Sequence, residues 1–198
     1  ADFKSGYLAD ELRKKNIFIG DHYKAKNDSL RALVEKDIKI IQSELSAEPF
    51  RKGIEGIHID QLTPETYTPE TSKKLDAYFD EYKKLYQKQY NEKVALREKM
   101  TAYFENDKEL GYSLNAYKDE YFNESLADLV QNVKEKNRII EYNNALIQQI
   151  NPIFLEPKPA NAFDYRAHFF APVKKLFGLT IDTFIFNVIV IWFMSLLL

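Results

Sequence analysis

Cysteine is absent from this chain of 198 residues, and glycine and proline are scarce, with six and seven residues respectively. Without cysteine the chain holds no disulfide framework, no thiolate nucleophile and no zinc site built on thiolates. Its composition, 45% hydrophobic and 29% charged, excludes a low-complexity disordered chain and fits one or two modest domains.

An excess of charge of one sign is also nearly absent. The 28 basic and 30 acidic residues leave a formal charge of −2, and both signs are interspersed along residues 1–175. A nucleic-acid binder needs a basic stripe that neutralises phosphates and releases counterions. We therefore expect no nucleic-acid partner.

The motifs of common enzymes are missing as well. The sequence has no Gly-x-x-x-x-Gly-Lys-Ser/Thr loop and no Gly-x-Gly-x-x-Gly element, so it predicts no nucleotide site of either kind. The histidines, His22, His58 and His168, are far apart, and none belongs to a His-Glu-x-x-His motif. We expect no enzyme activity, and no catalytic, cofactor-binding or metal-binding residue, in this segment.

The most distinctive feature present is an apolar run at the carboxyl end. In residues 176–198, 17 of 23 side chains are apolar and Asp182 is the only charged residue. About 20 helical residues cross a hydrocarbon core of about 30 Å, so this run predicts a transmembrane helix. Asp182 and Asn187 are costly against lipid, which favours packing against other membrane helices. A cap at the start of the helix is the alternative for Asp182.

The preceding residues have the spacing of amphipathic helices. Residues 21–47 carry Leu, Val and Ile three and four positions apart, which predicts a first strong helix. Thr68-Pro69-Glu70 is a helix start signal, and an apolar and aromatic stripe follows it past residue 100. Residues 53–60 alternate apolar and polar side chains, which predicts a short strand or an extended connector.

A second apolar stripe covers residues 114–151 and ends at Asn151-Pro152. Two long stripes joined by a short polar link fold back most simply as an antiparallel helical hairpin, with its tip at residues 106–111. The predicted fold class is mainly α: a long antiparallel helical hairpin with shorter helices, a Pro-rich tether and one transmembrane helix. The predicted domains are 1–151, 152–175 and 176–198.

The predicted tether, residues 152–175, contains four prolines, which exclude a long helix. Aromatic rings just before an apolar run suit the headgroup region of a membrane, and lysines there can reach lipid phosphates. The predicted interfacial anchors are Phe169, Phe170, Pro172, Lys174 and Lys175.

The 13 tyrosines, many of them in the two stripes, allow two interpretations. Their rings can fill the seam of a narrow hairpin while their hydroxyls reach water. They can also form a surface for a partner protein, peptide or glycan. The spacing alone does not separate inward from outward rings.

The carboxyl end resembles one family of transporters. His168-Phe169-Phe170-Ala171-Pro172, and then Asp182-Thr183-Phe184 with Asn187 and Ile191-Trp192, are similar to the residues leading into the last membrane helix of ABC exporters from Bacteroidetes-like bacteria. In that family a nucleotide-binding domain and an ABC-2-type permease share one chain. Residues 10–21 also resemble a soluble insertion of those proteins.

The resemblance implies a non-catalytic extracytoplasmic helical domain, on the periplasmic side of the inner membrane, followed by the last span of the permease. The domain would gate the outer exit or contact a partner protein of the envelope, and ATP and Mg²⁺ would bind elsewhere in the parent chain. Membrane lipid and the other permease helices are the implied partners. Lys174 and Lys175 would then lie outside, against the positive-inside tendency.

An alternative of a different class is a tail-anchored coiled-coil adaptor or tether with a cytoplasmic helical body; a sensor ectodomain is a third. The sequence starts at Ala1 without Met and stops inside the apolar run, which we interpret as a fragment cut at both ends. The exporter hypothesis predicts a chain that continues on both sides. The adaptor hypothesis predicts a native start near Ala1 and a stop near Leu198.

Overall fold

A computed structural model describes residues 1–46, 58–106, 114–155, 157, 159, 161–167 and 171–197. The chain divides into two compact units. The first, which we call the body, contains Ala1–Glu120 and Ile139–Ile147; the second, the carboxyl-terminal unit, contains Tyr121–Arg138 and Gln148–Leu198. The described residues are mainly helical, with one long helix and a few short strands, which confirms the predicted helical class.

Three helices enclose the core of the body. A π-helical turn, Lys4–Leu8, continues into α1 (Ala9–His22), and α2 (Asp28–Ser46) and α3 (Pro69–Asn106) follow. α1 packs against both α2 and α3. The fully buried side chains between them include Leu12, Ile19, Val34, Ile41, Leu75, Phe79 and Tyr82.

The first strong helix predicted over residues 21–47 is confirmed as α2, although it starts later. Asn27 explains this start, because its Oδ1 accepts hydrogen bonds from the backbone N–H groups of Ser29 (2.9 Å) and Leu30 (3.3 Å). The residues before this cap belong partly to the end of α1.

The start signal at residues 68–70 is confirmed by α3. Thr68 Oγ1 accepts a hydrogen bond from the Thr71 N–H at 3.1 Å, and Pro69 is the first helical residue, where a backbone N–H is not needed. The helix has 38 residues and is about 57 Å long. Its buried residues, Leu75, Tyr78, Phe79 and Tyr82, all lie in its first half.

The second long helix predicted over residues 114–151 is wrong. This stretch forms α4 (Leu114–Tyr121) and α5 (Glu124–Gln131), followed by a two-stranded sheet of β1 (Ile139–Tyr142) and β2 (Ala145–Gln148). The predicted antiparallel helical hairpin is therefore replaced by one long helix, α3. Residues 107–111 of its predicted tip lie outside the described residues.

Asparagines are the reason for this interruption. Asn123 Oδ1 accepts a hydrogen bond from the Leu126 N–H at 2.9 Å and starts α5, and Asn132 ends it in the left-handed conformation with φ 55°. Asn143 and Asn144, with φ of 48° and 57°, form the two-residue turn between the strands. These local preferences override the helical spacing of the apolar residues.

Part of the strand or connector predicted over residues 53–60 can be checked. Residues 53–57 lie outside the described residues, and the chain then forms a 3₁₀ turn, Ile59–Gln61, rather than a strand. Gln42 of α2 donates hydrogen bonds from Nε2 to the carbonyls of Ile59 (2.9 Å) and Leu62 (3.0 Å). These bonds hold the turn against the helix.

The carboxyl-terminal unit ends in an antiparallel pair, β3 (Val173–Leu176) and β4 (Leu179–Asp182), followed by α6 (Thr183–Leu197). Phe177 and Gly178 have φ of 52° and 76° and form the turn of this pair. The single helix predicted over residues 176–198 is therefore wrong, because residues 176–182 belong to the strand pair and its turn. In the described parts of the chain, no helix has both the length and the apolar character needed to cross a membrane.

Candidate membrane-contact site

α6 is apolar around its whole circumference. Of its 15 residues only Thr183, Asn187 and Ser195 are polar, and none is buried. Trp192 and Leu196 expose 69% and 81% of their surface. A helix that is apolar on every side requires an apolar environment on every side, either lipid or other protein.

The start of α6 is fastened to the residues before it. Asp182 Oδ1 accepts a hydrogen bond from the Phe184 N–H at 2.8 Å. Thr183 donates through its backbone N–H to the Pro172 carbonyl (3.0 Å) and through Oγ1 to the Ala171 carbonyl (2.6 Å). Asp182 thus caps the helix, where a carboxylate also suits the positive end of the helix dipole. Its predicted packing against other membrane helices stays a prediction.

Asn187 lies one turn further along α6, and its side chain is exposed. Among the described residues its side-chain amide has no hydrogen-bond partner, whereas the Ser195 hydroxyl donates to the Ile191 carbonyl at 2.8 Å. A side-chain amide on an apolar helix gains most from a partner on a neighbouring helix. Asn187 is therefore the polar group of α6 best suited to such a contact.

Three of the five predicted interfacial anchors lie among the described residues. Pro172 is exposed directly before β3, and Phe169 and Phe170 lie outside the described residues. Lys174 and Lys175 are both half-buried in β3. Because consecutive residues of a strand point to opposite faces, these two side chains do not share a surface.

Two ring contacts of this region are not evident from spacing. The ring centroids of Tyr165 and Phe186 are 5.8 Å apart, so this contact joins the chain before β3 to α6. The rings of Phe163 and Phe177 meet edge to face at 5.1 Å. Gly178 was the available sequence signal for a turn here, since glycine readily adopts the positive φ that it has in this structure.

The body holds an ion-pair cluster around Lys15. Its Nζ lies 2.8 Å from the Asp37 carboxylate and also pairs with Glu141 of β1, which in turn pairs with Lys36. Burial lowers the pKa of Lys15, but the two carboxylates outweigh this and leave the pKa raised. Hydrogen bonds from Lys15 and Lys36 lower the pKa of Glu141. The mutually compensated charges fix β1 to α1 and α2.

A second buried network joins α1, α3 and the loop before α3. Tyr67 donates its hydroxyl proton to the Asn16 side-chain oxygen at 2.5 Å, and Asn16 Nδ2 donates to the Asp76 carboxylate at 2.9 Å. Asn16 is fully buried. Burial, and to a lesser extent the charge of Asp76, raises the pKa of Tyr67. The network satisfies polar groups inside the core.

No metal-binding arrangement occurs within the described ranges, where no three His, Asp or Glu side chains come together suitably. His22 Nδ1 is 2.9 Å from the Phe18 carbonyl, and its ring stacks on that of Phe18. His58 is exposed, and His168 lies outside the described residues.

No family model matches the chain. No curated protein and no solved structure is significantly similar to it either.

Proposed function

We propose that the chain is a non-catalytic part of an ABC-type membrane exporter. In this proposal α6 belongs to the last membrane segment of the permease, and the helical body acts by gating or partner contact at the outer face. The observation that carries it is the composition and exposure of α6, which has no charged residue, three polar residues and no buried side chain. Such a helix is stable against lipid or other membrane helices.

Two features around α6 support the same proposal. The Asn187 amide offers a donor and an acceptor one turn into α6, and helices of a membrane bundle pair through such polar side chains. The segment that leads into α6 also contains the residues that resemble the exporter family, including Ala171, Pro172 and Asp182. The fastening of Thr183 to Ala171 and Pro172 gives these residues a shared structural role.

Membrane fractionation tests the role of α6. We expect residues 1–198, expressed by themselves, to stay in the membrane pellet after alkaline carbonate, and the double variant Ile185→Lys/Ile189→Lys to be released. The matched control is Ile17→Lys/Leu33→Lys in the body, since these four side chains have similar exposure, between 48% and 57%. Release of the unaltered chain, or retention of the α6 variant, would exclude α6 as the membrane contact.

The open reading frame around the segment tests the exporter assignment itself. We expect an ATPase with a Walker motif and several hydrophobic segments upstream in the same frame. A start codon just before Ala1 and a stop just after Leu198 would instead favour the tail-anchored adaptor or tether.

The side of the membrane on which the body lies can be measured with a single introduced cysteine, because this segment has none of its own. Lys26 is exposed in the body, so Lys26→Cys places the cysteine at an accessible position. In intact spheroplasts, an extracytoplasmic body predicts rapid labelling of this cysteine by a membrane-impermeant maleimide. Labelling only after lysis would place the body in the cytoplasm and contradict the outer-face role.

A further inference from the structure

The second half of α3, residues 87–106, is about 30 Å long and lies beyond the last buried residue of that helix. Here called the distal segment, it has half-buried positions only at Val94 and Thr101 and exposed ones elsewhere. Its exposed apolar side chains are large: Leu96 and Met100 expose 51% and 53%. In proteins most helix stability comes from tertiary packing, so a partner would stabilise this segment.

Three of the large exposed apolar side chains lie on one face of the helix. Successive residues of an α-helix turn by about 100°, which places Lys93, Leu96, Arg97, Met100 and Phe104 within one sector about 100° wide. We call these five residues the distal face. Apolar anchors at i, i+4 and i+8, here Leu96, Met100 and Phe104, have the spacing with which an amphipathic helix binds in a groove.

The distal face carries cations but no carboxylate. Lys93 and Arg97 lie within it, whereas all three carboxylates of the segment, Glu92, Glu98 and Glu105, lie outside it, as do Lys88 and Lys99. Within the described residues, neither Lys93 nor Arg97 has an ion-pair partner. Two like charges at i and i+4 repel each other, so the face gains from carboxylates supplied by another molecule.

From this arrangement we infer that the distal face docks into an apolar groove of another protein that also carries carboxylates, one of them at the end of the groove that receives Lys93. The groove would accommodate Leu96, Met100 and Phe104, and the carboxylates would pair with Lys93 and Arg97. The inference deepens the contact role in the proposed function, because it names the surface and the chemistry of the partner.

A lipid surface fits the distal face less well. Helices that lie in a membrane interface keep their basic residues on the polar side, where the charges stay in water. Lys93 lies between Met100 and Phe104 around the helix, at the centre of the apolar sector. Insertion of this face into lipid would carry the ammonium inward with its apolar neighbours.

A second copy of the chain also fits less well. Two distal faces brought together would oppose Lys93 and Arg97 to the same cations, with no carboxylate of either face between them. Like charges across an interface act against association. The lack of carboxylates on the distal face therefore favours an acidic partner over self-association.

Site-specific photocrosslinking in cells that express the full chain tests this inference. A benzoylphenylalanine at Met100 reports on the distal face, and one at Ala95, on the other side of the helix, is its matched control. We expect Met100 to crosslink to another protein through a segment rich in Asp or Glu. The charge reversal Lys93→Glu/Arg97→Glu should lower that yield about tenfold, since charge complementarity governs such contacts.

The reversal Glu98→Lys/Glu105→Lys is the control for charge and should leave the yield unchanged. Circular dichroism of each purified variant separates loss of docking from loss of folding. No adduct at Met100, an adduct with a second copy or with lipid, equal yields at Met100 and Ala95, or insensitivity to Lys93→Glu/Arg97→Glu would each overturn the inference. If the Met100 adduct forms as expected but alkaline carbonate releases the unaltered chain, the membrane proposal is contradicted and the docking inference is supported.

Discussion

In α2, five of 19 residues are buried, whereas in α6, which is far more apolar, none of 15 is. The difference lies in how the apolar residues are arranged. α2 presents Val34, Ile38 and Ile41 on one side, and that side packs into the body core. α6 is apolar all round and cannot bury its surface in so small a unit. A high hydrophobicity therefore predicts that a helix needs an apolar partner. The spacing of its apolar residues predicts whether one neighbour on one side is enough.

The same contrast between a packed and an unpacked helix surface occurs within α3. The largest effect is expected from Phe79→Ala in its buried half. Phe79 is fully buried, so its truncation should lower the free energy of unfolding of the body by about 3–5 kcal/mol. Urea denaturation in mild detergent, followed by circular dichroism, measures this loss. Phe104→Ala in the exposed half of the same helix is the matched control, with an expected change below about 0.5 kcal/mol. Equal losses would mean that the two halves of α3 are not distinct.

The next largest effect is expected from Tyr67→Phe. This variant removes the hydroxyl that donates to Asn16 and leaves a buried amide oxygen without that donor, which should cost about 1–3 kcal/mol. Tyr90→Phe removes an exposed tyrosine hydroxyl and should cost almost nothing. A loss no greater than that of Tyr90→Phe, in the same denaturation measurement, would show that the network does not stabilise the body.

Glu141→Gln should remove about 1 kcal/mol at neutral pH, because a charged hydrogen-bond acceptor for Lys15 and Lys36 is lost. The folded-state pKa of Glu141 is lowered from its ordinary 4.5, so its contribution is complete above about pH 4.5 and disappears as the pH falls through the lowered value. The pKa of Lys15 is raised, so its contribution to stability changes with pH in the opposite direction. The stabilisation by Lys15 is present below pH 10.5 and is lost as the pH rises through the raised pKa.

Denaturation midpoints of the unaltered chain and Glu141→Gln, measured from neutral to acid pH, check these signs. The two curves should converge in acid, since the protonated glutamate resembles glutamine. A difference between the two midpoints that stays constant at all acid pH values would show that Glu141 does not cause the loss of stability in acid. The exposed pair Lys74–Glu70, altered by Glu70→Gln, gives a surface control.

The smallest effect is expected from Leu129→Ala in α5, whose side chain is 65% exposed. A change within about 0.5 kcal/mol is typical of surface positions. Hydrogen exchange of α5 together with urea denaturation detects local and global changes. A cost of several kcal/mol, as in a core, would show that the carboxyl-terminal unit buries this leucine and would weaken the contrast with the body.

The sequence predicted those elements whose local signals agree with their packing. Thr68 and Pro69 define the start of α3, and the apolar spacing in α2 identifies the side that packs. The second half of the chain was harder, because its apolar residues have helical spacing while its asparagines favour caps and turns. Asn123, Asn132 and the Asn143-Asn144 turn decide that competition, and periodicity alone gives them no weight.

The candidate membrane-contact site also has features that the sequence predicts and features that it does not. The apolar run, the polar positions Asp182 and Asn187, and the rings before them are readable from the sequence. The strand pair that shortens the helix is not, because Phe177 adopts positive φ only when β3 and β4 pair around it. The capping role of Asp182 likewise depends on where the helix begins.

By itself, the sequence determined that this protein is mainly helical, that α3 begins at Pro69, and that its carboxyl end is apolar, since these properties depend on composition, caps and local spacing. Only the tertiary structure decided which half of α3 is buried, that Lys15 receives two carboxylates, and that the apolar run divides into a strand pair and a helix. These properties depend on contacts between residues up to 126 positions apart, and no local pattern specifies such contacts.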